Sequence, residues 1–320
     1  MRACCRGLRQ RVLGGLLALA VVGCGRAPDA PPITPSADSL GIPAAFAERL
    51  ATAGVGVEVL DRDGEAYALV RAGDVLLQWV DVRDVAPSQI LGPLDTTAAI
   101  PDGHFHPDAT SASFEAIPPG TVTRQQAADP RLLAVLNGAF FETPGRASTQ
   151  IAFPIAENGR VVTGGSSPNG PGRPGSEGER WDQPLRVLAL AGDSAQVADL
   201  DLETGAPLAE GDFSEAVASY APDAHPTRVA ARYHVLGVVD PDSTGASPWL
   251  LIATSDGLSP IDAPSDLLAR LGADASGQIA LDGGASVYLW NRRAGTLHRP
   301  SPAGGNNPQH LPHFLTLRRR

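Results

Sequence analysis

Ile279-Ala280-Leu281-Asp282-Gly283-Gly284-Ala285-Ser286-Val287-Tyr288-Leu289 is an apolar run that stops at a carboxylate, passes two glycines and a hydroxyl, and resumes. This pattern reads as a strand, a tight turn and a second strand. Glycine in the turn lets backbone N–H groups approach a ligand with no side chain in the way. A similar device lies upstream. Leu132-Leu133-Ala134-Val135-Leu136 runs into Asn137-Gly138-Ala139-Phe140-Phe141-Glu142, and an arginine-bearing segment around Arg228 lies between the two. Together they suggest a site assembled from several strand ends.

Working outward, strand signals dominate from residue 55, with hairpin turns at residues 61–64 and 72–74. Short helices are expected at 44–53, 123–129 and 212–220, and another opens at Ala263-Pro264-Ser265-Asp266 with Gly272 as its stop. Residues 228–239 read as one bent strand. The order strand 249–254, helix, strand 278–281 suggests a crossover within a mixed sheet. The expected fold is therefore α+β: a single domain, a mixed β-sheet core with a few helices, and a site at strand ends.

Arg2, Arg6, Arg9 and Arg11 precede an apolar run at 12–22 that is shorter than the ~20 residues a membrane span needs. Val21-Val22-Gly23-Cys24 looks like a bacterial lipobox, with Cys24 as the lipidated residue. The expected division is a signal peptide at 1–23, a lipidated flexible tether at 24–50 and a folded domain at 51–320. An exported lipoprotein, periplasmic or at the cell surface, follows from it. Its membrane partner is reached through the lipid on Cys24.

Only three cysteines occur, Cys4, Cys5 and Cys24, so the exported domain has no disulfide, cysteine metal site or cysteine nucleophile. All 25 basic residues are arginine. That excludes a Walker-type phosphate loop, a Schiff-base lysine and a Ser-Lys dyad. The formal charge of −10 disfavours nucleic acid as a partner. An anionic substrate would need a local arginine. His104-Phe105-His106 resembles a metal pair, but Pro101, Gly103 and Pro107 make it a loop, and no cofactor or metal is expected.

Leu136-Asn137-Gly138-Ala139-Phe140-Phe141-Glu142 resembles the "INGGFFD" segment of the phosphodiester glycosidase family. Residues 271–286 are similar to its "LGA…LDGGGS" segment, and Pro226-Thr227-Arg228-Val229-Ala230 to its "PRTAIG". Ser255-Asp256-Gly257 sits where that family has "DG". The resemblance runs from about residue 55 to 317. Ala139 and Ala285 stand where the family has glycine, and Glu142 where it has aspartate.

The resemblance implies hydrolysis of the glycosidic C–O bond of a sugar-1-phosphodiester of the GlcNAc-1-phosphate type, on cell-surface or extracellular glycans. Such chemistry needs an anion anchor, an acid or base, and stabilisation of an oxocarbenium-like state. Asp282 is the main candidate carboxylate, with Glu142 and Asp256 as further catalytic candidates. Arg228 is the candidate phosphate anchor, because a guanidinium fork binds two phosphate oxygens. Arg232, four residues on, competes for that role. Asn137, Gly138, Gly283, Gly284 and Ser286 are candidate substrate contacts. Two rival readings remain: a non-catalytic glycan-binding lipoprotein on the same scaffold, and a metal-dependent phosphodiesterase that cuts P–O.

Overall fold

Alternating apolar side chains on a strand supply two greasy faces, and each face needs a cover. Trp249–Ser255 shows the solution. Leu250 and Ile252 enter one core and Leu251 and Ala253 another, on the opposite side of the same sheet. The computed structural model describes residues 40–97, 112–141, 148–165, 184–208, 211, 213–225, 228–240, 245–301 and 310–320. All of them belong to one compact unit.

The large sheet has 12 strands. Its main path runs Glu58–Asp63, Tyr67–Ala72, Val75–Asp81, Trp249–Ser255, His234–Val238, Gln278–Leu281, Glu215–Tyr220, Leu185–Ala191, Ser194–Asp199, Ala246–Ser247. Ile155–Glu157 pairs with Glu215–Tyr220 and carries Arg160–Thr163 on its outer edge. The second sheet orders Gly295–His298, Leu289–Asn291, Leu132–Asn137, His313–Arg319, Val85–Leu91. Ser113–Glu115 and Ser148–Gln150 form a small ribbon. The main core fills the space between the two large layers, with Leu236, Leu250 and Ile279 meeting Leu136, Leu289 and Leu315.

The fold is thus mainly β, and the expected α+β architecture is corrected. Every strand pair among the described residues is antiparallel. The α-helices are short: Ala44–Thr52, Pro119–Gln126 and Asp262–Arg270. Trp249–Ser255 and Gln278–Leu281 do run the same way around the helix between them. However, His234–Val238 inserts between them, antiparallel to both, so no mixed sheet forms. Nor is the site set at strand ends of one such sheet. Asn137 closes a strand of the second sheet, Asp256 and Asp282 follow strands of the first, and Arg228 lies in irregular backbone.

Local readings shift for physical reasons. Residues 215–220, expected in a helix, form a central strand, because a run of small and apolar side chains serves either period and the neighbours decide. The bent strand expected at 228–239 is regular only over His234–Val238. The helix Ala44–Thr52 forms as expected but is no part of a loose tether. Phe46, Ala47 and Leu50 are buried, and Phe46 stacks on Trp79 with ring centroids 5.3 Å apart. No helix among the described residues is long and apolar enough to cross a membrane. Cys24, Glu142, His104 and His106 lie outside the described residues.

Candidate functional site

The turn after Gln278–Leu281 is clasped from both sides. The N–H of Asp282 donates to the carbonyl of Gly138 at 3.0 Å, and the N–H of Gly284 to the carbonyl of Arg232 at 2.7 Å. Both glycines are required. A Cβ at Gly283 would lie 2.7 Å from the Arg232 carbonyl oxygen, and Gly284 has φ +63°, a left-handed conformation. Ser286, buried in the short 3₁₀ turn Gly284–Ser286, and the backbone of Gly283 both favour the ionised form of the Asp282 carboxyl.

Asp282 is 8% exposed, and its Oδ2 has no hydrogen-bond partner. Burial lifts its pKa to about 7, against the opposing pull of Ser286 and Gly283. A carboxyl that exchanges its proton near neutral pH is suited to acid–base work.

Asn137 is 1% exposed and committed to the protein. Its Oδ1 accepts from the Tyr288 N–H at 2.7 Å and from His234 Nε2 at 2.8 Å, while its Nδ2 donates to the Asp282 carbonyl at 2.7 Å. The Tyr288 bond fixes which end of the amide is oxygen. His234 must therefore carry its proton on Nε2, which leaves Nδ1 to accept from the Thr254 hydroxyl at 2.8 Å. Burial, with a contribution from His298, pushes His234 down to about 3 and keeps it neutral. Asn137, expected as a substrate contact, thus joins three segments at the Asp282 turn.

Gly138 sits between Asp282 and His313. Its N–H donates to the His313 carbonyl at 3.2 Å. The His313 ring lies against it, with Nδ1 accepting the Ala139 N–H at 2.7 Å. That bond makes His313 the Nε2–H tautomer, and burial holds its pKa near 3. His313 is 1% exposed, and Nε2 has no partner. A Cβ on Gly138 would fall 2.3 Å from His313 Nδ1. Gly138→Ala is therefore expected to cost about 1–3 kcal/mol by overpacking, read as a lower urea midpoint with unchanged m. By contrast, the Ala139 methyl is accommodated, since Ala139 belongs to the main core.

The two candidate arginines differ in their contacts. Arg228 is half exposed, pairs with Asp262 at the start of the helix Asp262–Arg270, and donates to the Asp223 carbonyl at 3.2 Å. No described interaction joins it to Asp282. Arg232 instead reaches the turn through its carbonyl, and its Nε is buried without a partner. Asp256 accepts from Arg71 at 2.8 Å, and its Oδ1 lies 3.5 Å from the buried His298 Nε2. Burial lowers the His298 pKa and the positive charge of Arg232 lowers it further, while Asp256 pulls it up. No cluster able to hold a metal ion exists among the described residues.

None of His234, His298 and His313 sits in a recognisable motif spacing. The available signal was a titratable side chain inside an apolar strand, as in Tyr233-His234-Val235-Leu236.

No known family profile matches the chain, and no curated protein sequence does. Solved structures do. The catalytic domain of zebrafish N-acetylglucosamine-1-phosphodiester alpha-N-acetylglucosaminidase, auto-inhibited by its pro-peptide, is 16% identical, with TM-score 0.47 over 83% of this chain and 82% of that one. A hypothetical protein from Synechocystis is 13% identical, with TM-score 0.44 over 82% of this chain and 64% of that one. A Burkholderia pseudomallei K96243 chain described as an exported protein is 13% identical, with TM-score 0.40 over 78% and 74%.

Proposed function

We propose that this protein hydrolyses the glycosidic C–O bond of a sugar-1-phosphodiester, with Asp282 as its acid–base carboxyl. One observation carries the reading: a buried aspartate, its Oδ2 unpartnered and its pKa near 7, at a glycine turn that Arg232 clasps. The sequence resemblance of residues 136–142 and 271–286 to phosphodiester glycosidases points the same way.

In this reading the C1–O bond breaks, its electron pair leaves with the phosphate, and positive charge spreads over C1 and the ring oxygen. Phosphate is a good leaving group and needs no added proton. Water attacks C1, and ionised Asp282 takes the proton that water loses. Arg232 balances the charge of the departing phosphate. The products are free sugar and a phosphomonoester.

The test is release of N-acetylglucosamine from its 1-(methyl phosphate) diester. Wild type turns over and resists chelator. Arg228→Ala keeps activity within about threefold, since its partners are Asp262 and the Asp223 carbonyl. Arg232→Met loses about 10²-fold or more, as expected for a charge-assisted contact to phosphate. Binding without turnover would instead support the glycan-binding reading, and sugar phosphate as product would support P–O cleavage.

The N-terminal pattern ending at Cys24 supports an exported, lipid-anchored protein. Incorporation of labelled palmitate, abolished in Cys24→Ala, is the expected result.

A further inference from the structure

The end of the fold opposite the Asp282 turn is rich in arginine. Leu132–Asn137 and His313–Arg319 run antiparallel, so Asn137 and His313 mark the Asp282 end while Arg131 and Arg318 mark the other. The turn after Leu289–Asn291 brings Arg292 and Arg293 to that same end, and Arg124 sits in the last turn of the helix Pro119–Gln126. Contacts join these residues into one surface. Arg131 and Arg318 approach the Asp129 carboxylate at 3.0 and 3.8 Å. Arg292 donates to the carbonyls of Leu132, Ala127 and Asp129, and Arg318 to the Gln126 amide oxygen. Beside them Arg319, whose N–H donates to the Arg131 carbonyl at 3.0 Å, pairs with Asp63, and Arg293 pairs with buried Asp61. Six arginines thus face three carboxylates, and Arg124 and Arg292 touch no carboxylate among the described residues. Arg131 and Arg293 are each 61% exposed, so their charge is open to a partner. Farther along this end the signs are mixed, with Arg83 and Arg320 among Asp81, Asp84 and Asp193.

The chain also enters the folded body here. The carbonyl of Leu40 accepts from Arg62 at 2.6 Å, and the Ala44 N–H donates to Glu65 at 2.8 Å, in the hairpin turn that follows Asp63. We propose that the arginine face docks on the anionic phospholipid headgroups of the membrane that holds the lipid on Cys24, with the Asp282 turn directed away from it. The inference rests on the lipid-anchor reading and adds the orientation of the body. A protein of net charge −10 is repelled as a whole by an anionic surface. Held there by a lipid, it turns its arginine-rich end inward, because guanidinium forks match phosphate oxygens and the attraction acts only within about 8–10 Å. The carboxyl at the other end of the layers then faces outward.

The test mixes the whole protein, as processed by the cell, with phosphatidylcholine vesicles that contain either no phosphatidylglycerol or about 30% of it, and follows amide exchange. Exchange over residues 119–131 and 289–296 is expected to slow about threefold with the anionic lipid. It should recover in salt of about 0.5 M, where the Debye length falls to ~4 Å. Residues 254–260, at the Asp282 end, should not respond. Arg124→Glu combined with Arg131→Glu should abolish the slowing, with Arg124→Gln and Arg131→Gln in reserve should the charge reversal fail to fold. Equal exchange with both vesicles, slowing that the variant keeps, or slowing centred on 254–260 overturns the proposal. Palmitate incorporation without selective slowing removes the docking face and leaves the anchor standing. Selective slowing without palmitate does the reverse.

Discussion

Asp282→Asn is expected to lower turnover by about 10²–10⁴-fold and, at pH 8, to stabilise the protein. The two effects have one origin. In wild type the rate should rise with pH up to about 7 and then level, as the buried carboxyl ionises and becomes able to accept a proton. Asparagine removes that limb. An aspartate in the unfolded chain ionises near ~4, whereas Asp282 in the fold does so near 7. Folding therefore takes up a proton between those values. The protonated fold has its full stability below ~4, loses it as pH climbs to about 7, and is level above. The amide escapes that loss but brings a buried donor of its own, so the expected net gain is on the order of 1–3 kcal/mol. Denaturant midpoints at pH 4 and pH 8 provide the check. If stability of the two proteins has the same pH dependence, the buried acid is not where its chemistry places it.

Asn137→Ala is expected to be the most destabilising single change around the turn. It strands the His234 Nε2–H, the Tyr288 N–H and the Asp282 carbonyl together. Each stranded buried group costs about 1–3 kcal/mol, and cavity formation adds to it, so a loss of about 3 kcal/mol or more is expected in urea unfolding. Turnover should fall as well, because Asp282 loses the bond that holds its carbonyl. A loss below about 1 kcal/mol would show the amide to be dispensable and would return Asn137 to the pool of possible substrate contacts.

Much of the β framework is visible in sequence. Trp249–Ser255 and Leu132–Asn137 are apolar runs bounded by polar or glycine punctuation, and both are buried strands. The Asp282 turn is legible for the same reason. Pairing is another matter. His234–Val238 lies between Trp249–Ser255 and Gln278–Leu281, although a helix separates those two in the chain, and no local signal encodes that insertion. Without it the segment reads as a parallel crossover. The contacts of the two arginines are hidden for a related reason. Arg228 and Arg232 share one short segment, and which one meets the turn depends on backbone that is irregular until His234. His234, His298 and His313 are placed by tertiary contacts alone: Gly138, far away in sequence, lies under the His313 ring.

The carboxyl hangs on a stitch between the protein's two main layers, for its turn is bound to Gly138 of one and Arg232 of the other. Any slip of one layer past the other would be felt first at that acid, before the cores open. Pressure or mild solvent that lets the layers drift should silence the chemistry while circular dichroism still reports an intact molecule. A survey of distant core variants by catalytic rate would then serve as a gauge of layer alignment.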